Sequence, residues 1–266
     1  MEPHSQITTS TPQLCPVVTN EYSIHLVQNE AAEFKINGET VTVQPDDGIF
    51  INADQIVQEY TNTLCLQVAC TYMRERGRWQ AKLVDRVQEK KIQPFFVLHQ
   101  DVPSEKAVLD GMTILASINQ RDPTSYPFLS PGIIYSMFQA LTARVDETCT
   151  LDFPPDDQVR CRDLMKYFAA HYAERLNLPD VAAVFDVTPN TCIKTFRKYI
   201  GITPIDYLNL YRMNVACELL RTTNEKIADI AANVGIPDKS YFTASFKKIL
   251  GMTPSKYRKQ NTPQAG

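Results

Sequence analysis

The sequence predicts a two-domain α+β chain: an N-terminal β-barrel or sandwich with following helices, then an all-helical C-terminal domain. Three observations carry that division. From Glu21 to His99, short stretches alternate apolar and polar residues or carry β-branched runs. Helical periodicity takes over at Ser104, and beyond Asp157 almost no strand signal remains. A stretch near the C-terminus also occurs twice. FRKYIGITPIDY, Phe196 to Tyr207, returns as FKKILGMTPSKY, Phe246 to Tyr257, with six of twelve positions identical. At 266 residues and 44% hydrophobic content the chain can bury the cores of two ordinary domains.

Residues 1–20, rich in Ser, Thr and Pro, read as a loose lead-in. EYSIHLV, AEFKI, ETVTVQ and GIFINA read as strands, separated by turn signals at NE, NG and PDDG. TLCLQVAC and KIQPFFVLH continue the pattern, and strands at this spacing make a small barrel or sandwich. SEKAVLDGMTILASINQ is a helix with Val108, Met112 and Leu115 on one face. RDPTSYPFLSPG reads as a loop. IIYSMFQALTARV then lines up Ile134, Met137, Phe138, Leu141 and Val145. That stripe suits packing on the barrel and suits a dimer seam, and periodicity does not separate the two. DETCTLDFPPDD, residues 146–157, has two prolines, five acidic residues and little periodicity, as a linker does. The expected domains are therefore 21–145, the linker 146–157, and a helical domain over 158–266.

Charge divides along the same line. From Asp157 onward there are 16 Lys+Arg against 10 Asp+Glu, net +6; the rest holds 11 against 20, net −9. Two halves of opposite sign suit two different partners, although charge also varies by chance between domains. The seven cysteines are odd in number and scattered, with no C-x-x-C pair. Reduced thiols in a cytoplasm fit that pattern better than a disulfide framework or a zinc site. No apolar run reaches the roughly 18 residues of a membrane span, and the N-terminus lacks the basic and apolar regions of a signal peptide.

The repeat extends upstream, where LPDVAAVFDV (178–187) aligns with IADIAANVGI (227–236) at an offset of 49, becoming 50 after Pro237. Each copy is a short helix with paired alanines, a tight turn, and a second helix ending at Gly201 or Gly251. Alanines 182, 183, 231 and 232 let two helices cross closely. Gly235 supplies a permissive turn in the second copy, where the first has Asp186. Thr188 caps one second helix with Pro189 behind it, and Asp238 caps the other. The glycines stop those helices in the left-handed conformation, and Thr203-Pro204 and Thr253-Pro254 start the next. This is a duplicated helix-turn-helix pattern, with the second helix of each pair as the reader. The exposed faces are polar and basic: Asn190, Thr191, Lys194, Arg197 and Lys198, then Lys239, Ser240, Thr243, Lys247 and Lys248. Lys and Arg neutralise phosphates, while Asn, Ser, Thr and Lys reach base edges in a major groove. Two ordinary helical hairpins with solvated faces are the plain alternative. Duplication at this detail in the basic half favours double-stranded DNA as the partner.

On these residues the last hundred or so positions resemble the AraC/XylS transcription regulators. IADIAANVGIPDKSYFTASFKKILGMTPSKYRK matches nearly throughout, and PIDYLNLYRMNVACELLRTT looks like the family's joining helix, with Arg212, Ala216 and Leu219-Leu220 at typical places. The resemblance implies DNA contacts from Asn190, Ile193 and Lys194 and from Lys239, Ser240 and Thr243. Ile193 stands where a polar residue is usual, so a thymine-methyl contact or no base contact is implied there. Ala244 stands where arginine is frequent, Cys192 replaces a core leucine, and Asp186 replaces a flexible turn residue. FKINGETVTVQPDDGIFINADQ is similar, less specifically, to the family's cupin-like sensor barrel. The whole then implies a cytoplasmic activator that meets RNA polymerase, forms a homodimer, and takes a small-molecule effector or a partner protein at the barrel. His25, Phe34, Phe50 and His99 are the effector candidates, and structural roles for the two histidines are as compatible with the sequence. No enzyme, cofactor or metal site is expected: the four histidines are not at ligand spacing, and nucleophile elbow, phosphate-binding glycine loop and H-E-x-x-H are missing from the sequence.

Overall fold

The computed structural model describes residues 5–9, 14–19, 21–59, 61, 63–68, 93–147 and 155–261. They form two compact units: one runs through residue 155 except for residues 14–16, which belong with the residues from 156 onward in the other.

The first unit is built on two antiparallel sheets. Strands β1 (Ser5–Thr9), β3 (Tyr22–Leu26), β6 (Gly48–Ile51), β8 (Leu64–Val68) and β9 (Phe95–Leu98) make one, in the order β1-β8-β3-β6-β9. Strands β2 (Val17–Val18), β4 (Ala32–Ile36), β5 (Glu39–Val43) and β7 (Ile56–Glu59) make the other, in the order β2-β7-β4-β5. The two-residue period of a strand sends alternate side chains to opposite faces, and both faces of the five-stranded sheet are used. Ile49 and Ile51 face an apolar layer shared with Phe34, Ile36, Val43 and Val57 of the second sheet. Ile24, Phe50, Leu66 and Phe96 face a second layer, closed by helices α1 (Pro103–Arg121) and α2 (Tyr126–Glu147). Burying each such side chain stabilises by about 1.5–3 kcal/mol.

Two expectations change here, and the packing half of a third is borne out. The supposed loose lead-in contributes β1, which pairs with β8 from Ser5↔Val68 to Thr9↔Leu64, and β2, which pairs with β7. The segment 121–132 is mostly helix, because α2 starts at Tyr126 and runs through Pro131. Asp122 organises its entry: its carboxylate accepts from the backbone N–H groups of Thr124 and Ser125 and from both hydroxyls. Those hydroxyl bonds, Ser125 foremost, hold its pKa below the usual carboxylate range. Pro131 forfeits only one backbone bond so near the helix start, while Tyr126 and Ser130 are buried. The stripe of Ile134, Met137, Phe138 and Leu141 is fully engaged with α1 and the five-stranded sheet. It packs within the unit, so the surface that motivated a dimer seam is already covered. The side chain of Val145 and residues 148–154 of the expected linker lie outside the described residues.

The described part of the second unit, residues 14–16 aside, is helical: α3 (Asp156–His171), α4 (Leu178–Val184), α5 (Pro189–Tyr199), α6 (Pro204–Thr222), α7 (Ile227–Asn233), α8 (Lys239–Leu250) and α9 (Pro254–Asn261).

Candidate nucleic-acid interface

Helices α4 and α5 form one pair, α7 and α8 another, and α6 joins them. The local chemistry of the two pairs matches. Thr188 Oγ1 accepts from the Thr191 backbone N–H at 3.2 Å and begins α5, with Pro189 behind it. Asp238 Oδ1 accepts from the Ser240 and Tyr241 N–H groups at 2.8 and 2.9 Å and begins α8. Gly201 at φ 93° and Gly251 at φ 73° turn the chain out of the helices. Thr203 then caps α6 by accepting from the Asp206 N–H at 3.2 Å. Each capping bond of this kind is worth about 1 kcal/mol.

The echo of Phe and Tyr between the copies has a packing reason. Phe196 is buried with its ring edge-on to Tyr207 at 5.5 Å, and Phe246 is buried with its ring edge-on to Tyr257 at 5.6 Å. The second helix of each pair is thus plugged against the start of the helix that follows it. Only one alanine of each pair does the close packing: Ala182 and Ala231 are buried, whereas Ala183 and Ala232 face solvent.

The opposite faces are open. On α5, Asn190, Lys194, Arg197 and Lys198 are exposed and Thr191 and Ile193 half-buried, while Cys192, Thr195, Phe196 and Tyr199 form the inner face. On α8, Lys239, Ser240, Lys247 and Lys248 are exposed and Thr243 is half-buried, while Phe242 and Phe246 face inward. The structure therefore brings the expected residues together in two patches, one per helix. Arg197 and Lys198 on α5, and their counterparts Lys247 and Lys248 on α8, sit in the last turns of their helices. There the negative end of the helix dipole favours cations.

Lys198 is not a free cation. Its Nζ donates to Asp157 Oδ2 at 2.5 Å, and Tyr199 Oη donates to Asp157 Oδ1 at 2.6 Å. The Lys198 bond, then the Tyr199 bond, hold the Asp157 carboxyl below the usual range, and the same pairing raises Lys198. Asp157 lies in the first turn of α3 and therefore ties it to the end of α5. Two further residues escape sequence reasoning. Tyr241, 56% exposed, stands on the outer side of α8 next to Ser240; the helix start at Asp238 is the signal that could have placed it on that face. Asp157 gives no such signal, because its partner is 41 residues away.

The four effector candidates do not converge. His25 is buried, with Nδ1 2.9 Å from Thr63 Oγ1 and Nε2 3.1 Å from Ser23 Oγ, and its ring lies edge-on to Phe34 at 5.1 Å. Phe50 lies in the layer against the helices, stacked on Phe96 at 4.9 Å. His99 is 49% exposed and its Nδ1 lies 3.1 Å from Asp47 Oδ2. Strand alternation explains the split: neighbouring positions on β3 and β6 serve opposite faces. Among the described residues no group of three or more His, Cys, Asp or Glu side chains is placed to hold a metal ion, and no helix is long and apolar enough to cross a membrane.

A helix-turn-helix domain family matches residues 181–260. The uncharacterized HTH-type transcriptional regulator YdeC of Bacillus subtilis (strain 168) is 22% identical over 252 residues, covering 91% of this chain and 85% of YdeC. The HTH-type transcriptional activator RhaS of Enterobacter sp. (strain 638) is 23% identical over 240 residues, covering 89% of this chain and 84% of RhaS. Among solved structures, ToxT from Vibrio cholerae strain SCE256 with an unsaturated fatty acid bound superposes with a TM-score of 0.55 at 16% identity, covering 99% of this chain and 95% of ToxT. That likeness bears on the fold. With two matched helix pairs joined by α6, and with transcription regulators among its relatives, the C-terminal unit is a DNA-binding helix-turn-helix domain of the AraC type.

Proposed function

We propose that the chain is a sequence-specific, effector-responsive activator of transcription whose helices α5 and α8 enter successive major grooves of DNA. The observation that supports this most is the matched construction of the two pairs: a side-chain cap at the start of each second helix, the same Phe–Tyr plug, and a polar, basic face on each. Asn190 and Lys194 on α5, and Lys239, Ser240 and Thr243 on α8, are the base-reading set; Thr191 and Ile193 flank it. Arg197, Lys247 and Lys248 meet phosphates, which carry affinity without sequence information. Lys198 joins them only in so far as Asp157 releases it.

The first unit receives the signal in this reading. RhaS is named an activator and ToxT has been solved with a fatty acid bound; by analogy a small molecule is the effector here, and RNA polymerase the downstream partner. A partner protein is the second reading, favoured by Phe128, which is 85% exposed at the start of α2. Such a regulator works in the cytoplasm, as a homodimer or a monomer.

Selection of bound duplexes from random DNA by the full chain, followed by footprinting, tests the DNA-reading proposal. Two protected major-groove segments about 34 Å apart on one face are expected. A single protected segment would overturn docking by both helices.

A further inference from the structure

We infer that Arg212 is a positioning residue that sets the separation and phase of the two DNA-reading helices. This rests on the proposal that α5 and α8 dock in successive grooves. Arg212 lies in the middle of α6 and is 8% exposed. Its Nε donates to the carbonyl of Tyr172 at 2.8 Å and its Nη2 to the carbonyl of Glu174 at 2.7 Å. Those carbonyls belong to the turn that ends α3, the helix packed on α5. Gly235 meets the same turn. It lies between α7 and α8 at φ 76°, and a Cβ there would stand 2.7 Å from the Tyr172 carbonyl oxygen and 2.8 Å from that of Ala173. The Tyr172 side chain completes the joint by packing against the core that includes Met213, Phe242 and Phe246.

Three segments therefore meet at residues 172–174: the end of the helix that supports the first reader, the joining helix, and the turn that launches the second reader. The planar guanidinium spans two carbonyls at once, which an ammonium on a flexible stem does not do. The turn at Gly235 has no side chain to push it away. Such a joint makes the second reader's binding energy available at one spacing only, because linked sites lose their advantage when geometry forbids simultaneous engagement.

The test uses the full chain and a duplex selected from random DNA. One base pair inserted between the two protected segments displaces the second by about 3.4 Å. Wild-type affinity is expected to fall about 100-fold on that insertion, and the affinity of Arg212→Lys no more than about tenfold, with each segment alone bound as by the wild type. Gly235→Ala, which disturbs the same joint without removing a donor, guards against a folding defect in the first variant; it is expected to shift the preferred spacing. Folding of both is checked by helical circular dichroism. If both folded variants keep the wild-type spacing penalty, Arg212 has no positioning role. If the wild type itself tolerates the insertion, docking by two helices fails, and the inference falls with it.

Discussion

Asp186 adopts φ 51°, in the left-handed region where its counterpart Gly235 has φ 76°. A Cβ there costs about 1–2 kcal/mol, somewhat less for Asp. Asp186→Gly removes that strain but loosens the unfolded chain, so a net gain of about 0.5–1 kcal/mol in the stability of the C-terminal unit is expected. Urea unfolding measures it, and a loss of stability would show that the turn is not strained. This residue is readable in the sequence because two copies of one unit can be laid side by side. The caps are readable too: Thr188, Thr203 and Asp238 accept from N–H groups two or three positions on. The roles of Asp157 and Arg212 are not, since their partners lie 38 to 42 residues away, and no local pattern encodes a bond across that span.

Elements are legible to the degree that their burial is periodic. Helix α1 shows its buried face in Val108, Met112 and Leu115. Strand β1 does not show, because SQITT is short, polar and buried at only two of its five positions. The start of helix α2 hides behind prolines that normally signal a loop. On α5, the tie to α3 has a measurable consequence. Asp157 neutralises Lys198 in the free protein, so a phosphate must compete for that ammonium. Asp157→Asn releases it, and the slope of log affinity against log salt for random duplex DNA is expected to steepen by about one. Lys198→Ala in the wild-type background should change that slope much less than Lys248→Ala. An unchanged slope in the Asn variant would mean that Lys198 does not face the phosphates.

At the scale of the whole molecule, four of the seven scattered cysteines acquire a common environment. Burial pushes the thiols of Cys15 and Cys161 up to about 12 and that of Cys217 up to about 11, and it raises Cys192 as well. All four lie in the second unit, as does Tyr207, whose hydroxyl is raised by the same cause. The N-terminal sequence thus lends Cys15 to the core of the DNA-binding unit, a pairing of distant segments that composition does not reveal. A group whose folded pKa exceeds its unfolded value contributes its full stability below the unfolded value, and that contribution is lost as pH rises through the folded one. For these thiols the window opens near the ordinary value of 9.0 and extends to about 12. Each well-buried thiol removes on the order of 1 kcal/mol per pH unit inside it. The second unit should therefore melt at progressively lower temperature above about pH 9, with the decline shallower in Cys161→Ala than in the wild type. Thermal melts of the full chain, followed by helical circular dichroism under reducing conditions, measure the trend. A melting temperature that stays level from about pH 8 to about pH 11 would mean that the thiols open to solvent before they ionise.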